Sequence, residues 1–205
     1  MKRTYCLFFA FYFLLFSFLG CGGGPGSPGS DGSEKTGINP RVVTVTHSDP
    51  NGDQGDLWEI DFVQDLCADG VTVETFGSDY AHISFFGDLL NPNVTSTNVL
   101  YITNYKVTFF KDNPSYPTIS QVSGGLEGGY TIQPNTDSGP YNFLILDPGT
   151  KRQIYDDLVS GQYNPLTTPL IYDMKIEIEG EDKYGNAFKV GPIIRRLTIA
   201  DYLHC

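Results

Sequence analysis

The chain has 205 residues, 24 of them acidic and 13 basic, and its formal net charge at pH 7 is −11. An acidic surface repels phosphate backbones, so the composition argues against nucleic-acid binding. The chain contains 13 Tyr, 14 Phe, 23 Gly and 13 Pro but only 2 Met, which is typical of strands and turns and argues against a helical protein.

The first predicted element is an export signal. Lys2 and Arg3 form a short basic start, and residues 5–19 are almost wholly apolar. A basic start followed by an apolar run of about 15 residues is typical of a secretory signal peptide, and such a run is too short to cross a bilayer comfortably. We therefore expect residues 1–20 to be a signal peptide.

The end of this segment carries a specific motif. Phe18-Leu19-Gly20-Cys21 resembles the lipobox of bacterial lipoproteins, with Phe18 in place of the usual Leu. The resemblance implies that Cys21 is lipidated on sulfur, that the chain is cleaved before Cys21, and that the new amino group is acylated, for example with palmitate. Three acyl chains exceed the two hydrophobic signals that stable anchoring requires. Gly22 follows the cysteine where an Asp would imply retention in the inner membrane, so the resemblance implies an outer-membrane location.

Residues 21–39 are rich in Gly, Ser and Pro and offer almost no apolar side chain to bury. Such a composition is typical of a flexible coil. The sequence therefore predicts a tether over residues 21–39 and one folded domain over residues 40–205.

A polar loop follows the first predicted strand of this domain. Asp49, Asn51 and Asp53 stand at alternate positions, and Asp56 comes shortly after them. This spacing resembles the opening of calcium-binding loops, in which such oxygen atoms surround Ca²⁺. Gln54 stands where an EF-hand has its turn glycine. A solvated turn explains the same residues, so a calcium site and a plain turn are both retained as interpretations.

Two cysteines remain in the predicted domain, Cys67 and Cys205. Exported proteins meet an oxidising compartment, so we expect a Cys67–Cys205 disulfide. The alternatives are two unpaired thiols, or metal ligands assisted by His204. No CxxC motif is present to favour a metal.

Apolar and polar residues alternate in short runs along the domain, which predicts strands. The clearest run sets Tyr172, Met174, Ile176 and Ile178 against charged neighbours, as a strand with one wet face requires. Further runs occur near residues 43–46, 58–62, 81–85, 105–109, 141–145, 188–190 and 197–199. The sequence therefore predicts an all-β fold, an antiparallel β-sandwich.

One short helix interrupts the strands. Thr150 is placed to cap a helix from Lys151 to about Ser160, with Ile154 and Leu158 on one face and Gly161 as the stop. Asp156 and Asp157 are adjacent on this helix and do not face one another, so they form no acid–base pair.

A turn near the end of the chain carries a second resemblance. The pattern Gly180, Asp182, Gly185 and Asn186 resembles the last hairpin of bacterial immunoglobulin-like domains. The resemblance implies an immunoglobulin-like sandwich.

The chain offers few groups for catalysis. His47, His82 and His204 are widely separated and are interpreted as surface histidines, and no nucleophile elbow, zinc-protease helix or phosphate loop occurs. We therefore expect no enzyme activity. Aromatic residues crowd the middle of the chain and could form a binding patch: Phe109, Phe110, Tyr116, Tyr130, Tyr141 and Tyr163.

Two functions fit these features best; a distant third, a hydrolase with an unfamiliar site, would require three titratable groups clustered in a cleft. The first is a lipid-anchored outer-membrane protein whose sandwich contacts a protein partner, or serves a structural role, at the cell envelope. The second is a module that binds carbohydrate or another envelope polymer through exposed aromatic residues. An exposed aromatic groove would favour the second function, and a flat apolar patch would favour the first.

Overall fold

A computed structural model describes residues 35–91, 93, 97–163 and 169–202, with only the backbone described at residues 127 and 128. The predicted signal peptide, Cys21, His204 and Cys205 lie outside the described residues. Within the described part of the chain, no helix is long and apolar enough to cross a membrane.

The prediction of an all-β fold with one short helix is confirmed. Two β-sheets pack face to face as a sandwich, and buried aliphatic and aromatic side chains fill the space between them. The described residues form strands β1 (Ile38–Ser48), β2 (Gln54–Gly55), β3 (Glu59–Asp61), β4 (Asp79–Leu89), β5 (Leu100–Lys111), β6 (Val122–Ile132), β7 (Asp137–Leu146), β8 (Leu170–Asp182), β9 (Ala187–Val190) and β10 (Ile193–Ala200), and the helix α1 (Pro148–Val159).

The smaller sheet has the strand order β2-β1-β4-β7, and every neighbouring pair in it is antiparallel. The larger sheet has the order β3-β10-β8-β5-β6, and β9 pairs with the second half of β8. The pair β3·β10 is parallel, which departs from the purely antiparallel prediction. This pair joins an early strand to the last one, so no hairpin constrains its direction.

Strand β8 shows why the alternating sequence specifies this sandwich. Tyr172, Met174, Ile176 and Ile178 are all buried against the facing sheet, as predicted. The intervening charged residues lie on the outer face, where they pair with charges on neighbouring strands. A shift of one residue in register would reverse both sets, so the pattern fixes the register of the central strand.

Helix α1 begins earlier than predicted. Asp147 is the N-cap and its carboxylate accepts hydrogen bonds from the backbone N–H groups of Gly149 and Thr150, with Pro148 in the first turn. The prediction of Thr150 as the cap was therefore wrong. The Thr150 hydroxyl donates to Asp147 Oδ2 at 2.7 Å, and this bond is the main reason that the pKa of Asp147 is lowered. The helix ends at Ser160 and Gly161 as predicted, and Gly161 adopts a φ of 75°.

The folded region extends to the start of the described chain. Thr36 is buried, and its carbonyl accepts a hydrogen bond of 2.9 Å from the Asn98 side chain. The same Asn98 amide donates to Asp182 Oδ2 at 2.9 Å. Asp182 in turn orders the last hairpin by accepting hydrogen bonds from the backbone of Tyr184 and Asn186. Packed structure thus begins before residue 40, the predicted domain boundary.

Candidate functional site

Three ionisable side chains from separate elements meet inside one end of the sandwich. Antiparallel pairing of β1 with β4 places His47, near the end of β1, beside Asp79 at the start of β4. The end of β7 pairs with the same residue, because Leu146 lies opposite Asp79. Helix α1 begins directly after β7, and its first turn therefore brings Lys151 to Asp79.

The carboxylate of Asp79 contacts both of the other side chains. His47 Nε2 lies 2.9 Å from Asp79 Oδ1, and Lys151 Nζ lies 2.5 Å from Asp79 Oδ2. Asp79 and Lys151 have no solvent exposure, and His47 is also buried. Aromatic rings enclose the group: Trp58 packs on His47 at 5.6 Å between ring centroids, and the ring of Phe76 lies 5.1 Å from Lys151 Nζ. We call these three residues the buried triad.

The structure corrects the interpretation of His47 as a surface histidine. The prediction failed because His47 is paired with a residue 32 positions away in sequence, and local alternation carries no information about such a partner. The sequence does contain a signal that Lys151 faces the core. Lys151, Ile154 and Leu158 follow helical spacing, so they share the face that packs on the core. His82 is half-buried, and its pKa is lowered by burial and by the charge of His47.

An open cleft of about 330 Å³ lies beside the buried triad. Its walls are the exposed side of α1 and the chain segment that follows β3. Phe76 joins the two features, because its ring lines the cleft and also covers Lys151. The cleft is lined by aromatic rings and by polar side chains. The rings belong to Phe62, Phe76 and Tyr155, and the polar side chains to Gln64, Asp65, Arg152 and Asp156.

One wall of the cleft continues into a small hairpin, residues 65–74. Leu66 pairs with Val73, and the backbone N–H of Asp65 donates to Glu74 Oε1 at 2.7 Å. Leu66 is 56% exposed, Val73 54% and Val71, near the tip, 81%. On the opposite wall Val159 is 68% exposed, one helical turn beyond Tyr155. Both chain segments that contribute to the cleft therefore also carry apolar side chains that face solvent.

The surroundings of this hairpin are acidic. The pKa of Asp201 is raised by burial and then by the charges of Asp65 and Glu74. Asp65 also lines the cleft, together with Asp156, and Arg152 is the one basic residue in the lining. The negative potential favours a ligand or partner with basic groups around its point of contact.

Three of the predicted calcium residues, Asp49, Asn51 and Asp53, lie at the turn between β1 and β2, and Asp56 follows β2. Asp49 Oδ1 accepts hydrogen bonds from the backbone N–H groups of Asn51 at 3.0 Å and Asp53 at 2.9 Å. This is an Asx turn, in which the carboxylate orders the backbone. Asp53 and Asp56 are exposed. Within the described residues no group of three His, Cys, Asp or Glu side chains is arranged to hold a metal ion, and calcium binding stays a prediction.

The central aromatic residues do not share one surface. Tyr116 is buried and packs on Tyr172 at 5.7 Å between ring centroids. Tyr130 and Tyr141 stack on each other at 4.3 Å, and the Tyr141 hydroxyl donates to the carbonyl of Thr131 at 2.6 Å. These two rings join β6 of one sheet to β7 of the other. Within the described part of the chain, three other rings, of Phe62, Phe76 and Tyr155, line the cleft beside α1, and sequence reasoning missed them because they are distant along the chain.

No protein family, curated protein or solved structure matches this chain. The cleft and the buried triad therefore have to be interpreted from their own chemistry.

Proposed function

We propose that this chain is a lipoprotein, anchored in the outer membrane through Cys21, whose β-sandwich binds a protein partner at the cell envelope. The proposed contact site is the cleft between α1 and the hairpin of residues 65–74. In this proposal the protein acts by binding and not by catalysis; the buried triad, which combines a histidine, a carboxylate and an amine, is closed to a substrate by its burial.

The observation that carries this proposal is exposed aliphatic surface on both chain segments that contribute to the ring-lined cleft. Leu66, Val71 and Val73 are exposed on the hairpin that begins at Asp65, and Val159 is exposed at the end of α1. Exposed apolar groups around a pocket with aromatic lining are typical of protein interfaces, since an apolar anchor fills the pocket and the rim excludes water. The acidic groups nearby favour a partner with Lys or Arg around that anchor.

The contact site can be tested on the full acylated protein. A photoactivatable amino acid at Val159 should cross-link the partner, and the same group at Tyr184, on the exposed last hairpin, should not. Tyr155→Ala should abolish the cross-link because it removes the ring from the cleft, whereas Tyr184→Ala should leave it unchanged. Equal cross-linking by the Tyr155→Ala variant would contradict the proposed site.

The anchor is tested separately. Cys21→Ser should remove labelling by radioactive palmitate and release the domain from the membrane fraction, or leave an uncleaved precursor. Continued fatty-acid labelling of this variant would refute the assignment of Cys21 as the lipidated residue.

A second candidate is binding of carbohydrate or another envelope polymer. It is favoured by the aromatic lining of the cleft, which is the feature expected of a carbohydrate-binding module, and by the side chains of Gln64, Asp65 and Arg152 beside the ring of Tyr155. Planar polar groups of this kind bind sugar hydroxyls while an aromatic ring packs on the sugar face. Binding on a glycan array that is lost in the Tyr155→Ala variant, together with no protein cross-link at position 159, would replace the first candidate by the second.

A further inference from the structure

The buried triad is an unfavourable arrangement as a plain ion pair. Asp79 and Lys151 are completely buried, and the ring of Phe76 lies 5.1 Å from Lys151 Nζ. Removing a carboxylate and an ammonium from water costs several kcal/mol for each ion, and their attraction repays this cost only with good hydrogen-bond geometry. Neither Lys151 Nζ nor Asp79 Oδ2 makes a hydrogen bond of good geometry with any described residue, although the two atoms lie 2.5 Å apart.

The same geometry suits a covalent reaction between the two side chains. Because Lys151 Nζ lies 2.5 Å from Oδ2 and the carboxyl carbon of Asp79 is one bond beyond Oδ2, the nitrogen lies within about 3.8 Å of that carbon, near the separation of roughly 3–3.5 Å in a near-attack conformer. Both side chains are held in place, Asp79 by the pairing of β4 with β1 and β7 and Lys151 by the first turn of α1. Well-oriented intramolecular reactions reach effective molarities of about 10⁵ M or more.

We propose that Lys151 and Asp79 condense to form an intramolecular isopeptide bond, with His47 as the group that activates the carboxyl. A proton passes from the Lys151 ammonium to Asp79 Oδ2, which leaves a neutral amine and a carboxylic acid. The lone pair of Nζ then attacks Cγ, and the carbonyl electrons move to Oδ1. The Nε2–H of His47, 2.9 Å from Oδ1, stabilises that developing negative charge.

The intermediate collapses with release of water. A second proton moves from Nζ to Oδ2, the Cγ–Oδ2 bond breaks, and the carbonyl at Oδ1 re-forms. One ammonium and one carboxylate thus become one amide and one water molecule, with no oxidant, cofactor or metal. The reaction removes two charges from the interior and leaves His47 donating a hydrogen bond to a neutral amide oxygen. Because burial destabilises the charged reactants more than the neutral product, it favours the reaction.

The bond would cross-link β4 to α1. Because α1 is also one wall of the cleft, the cross-link would hold that wall in place. The inference does not depend on the proposed function, since it requires only that the domain folds and brings the three side chains together.

Peptide mapping of the full acylated protein, purified from membranes and reduced before digestion, tests the proposal. We expect one peptide that contains both Asp79 and Lys151, with a mass about 18 Da below the sum of its two parts, the loss of one water. Trypsin should also fail to cleave after Lys151. Two separate, unmodified peptides at full yield would overturn the proposal.

Variants identify the reacting groups. Lys151→Met should abolish the joined peptide, whereas Lys175→Met, on the outer face of β8, should retain it. His47→Ala should greatly slow cross-linking in folded protein. Asp79→Asn offers the sharpest check, because attack on the amide releases ammonia instead of water and gives a product identical in mass to that of the wild type. If Asp79→Asn folds and gives a product of different mass, the assignment of Asp79 is wrong.

Discussion

Single residues are most constrained where two segments of backbone touch. Gly191 lies where β9 ends and β10 is about to begin, against the middle of β8. The backbone N–H of Ile176 donates to the carbonyl of Pro192 at 3.1 Å across this junction. A side chain at Gly191 would overlap the carbonyl oxygen of Ile176, and its Cβ would lie 2.8 Å from the carbonyl carbon. Gly125, in β6, has open space at the same position.

We therefore expect Gly191→Ala to lower the free energy of unfolding by about 2 kcal/mol or more, since backbone on the central strand has to move. Gly125→Ala should change it by less than about 0.5 kcal/mol. Urea unfolding followed by Trp58 fluorescence measures both. Equal stability of the two variants would show that the junction tolerates a methyl group.

The predictions made from the sequence were least accurate for individual side chains. The interpretation of His47 rested on its neighbours in sequence, and they say nothing of Asp79 or of the helix that delivers Lys151. The cap of α1 was misplaced for a related reason. Asp147 and Thr150 are both good capping residues, and only the extended backbone of Asp147 decides between them.

Secondary-structure elements meet on the outer face of the larger sheet through a network of charges. Glu177 of β8 lies 2.7 Å from Lys189 of β9, 2.9 Å from Lys106 of β5 and 3.0 Å from Lys175 of its own strand. Hydrogen bonds from Lys189, Lys106 and Lys175 lower the pKa of Glu177 to about 2. Three ammonium groups around one nearly buried carboxylate thus stabilise the pairing of three strands.

This network predicts a pH dependence of stability. Because the pKa of Glu177 is lower in the folded protein, its contribution is present above the ordinary pKa of about 4.5 and is lost as the pH falls towards about 2. The lysines are partly exposed, so solvent screening reduces the contribution to about 1–2 kcal/mol.

Glu177→Gln should therefore be less stable than the wild type at pH 7 by about this amount, and the difference should vanish near pH 2. Glu181→Gln, on an exposed position of the same strand, is the matched control and should differ little at either pH. Thermal unfolding across this pH range is the measurement. A Glu177→Gln deficit that is constant with pH would mean that the carboxylate charge is not the cause.

At the level of elements the sequence was a good guide. The buried face of strand β8 was predicted correctly. One face of this strand is exposed to solvent, so apolar and charged residues alternate without interruption from Tyr172 to Glu179. Strand β3 was predicted as part of a run near residues 58–62, but its parallel pairing with β10 was not. Pairing direction depends on where distant strands lie, and the short segment Glu59–Asp61 carries no local signal of it.

At the scale of the whole molecule, the C-terminal end of the described chain lies against β3 and the segment that follows it. Ala200 of β10 pairs with Asp61 of β3, and the backbone N–H of Tyr202 donates to Asp61 Oδ1 at 3.2 Å. The charge effect of Asp65 and Glu74 on Asp201 places the end of the described chain near the hairpin that contains Cys67. Cys205 lies outside the described residues, so its pairing with Cys67 stays a prediction that this approach favours.

We expect non-reducing peptide mapping to join Cys67 to Cys205. Removal of the disulfide by Cys205→Ser should lower the free energy of unfolding by about 2–4 kcal/mol, because a long loop is no longer closed in the unfolded chain. Cys67→Ser should cost about the same, and the double variant no more than either single one. Additive losses would show that the two cysteines act independently.

The long pairing of β1 with β4 has a mechanical consequence. The register runs from Ile38 opposite Leu89 to Ser48 opposite Tyr80, so the 11 residues of β1 span about 35 Å. The buried triad and the cleft lie at the Ser48 end, whereas a tether would enter at the Ile38 end. Tension between an anchored N-terminus and a partner in the cleft would pull along the strand axis and load the hydrogen bonds of β1 and β4 together, in shear. That geometry resists force far better than peeling one bond at a time, as suits a domain held between a membrane and its partner.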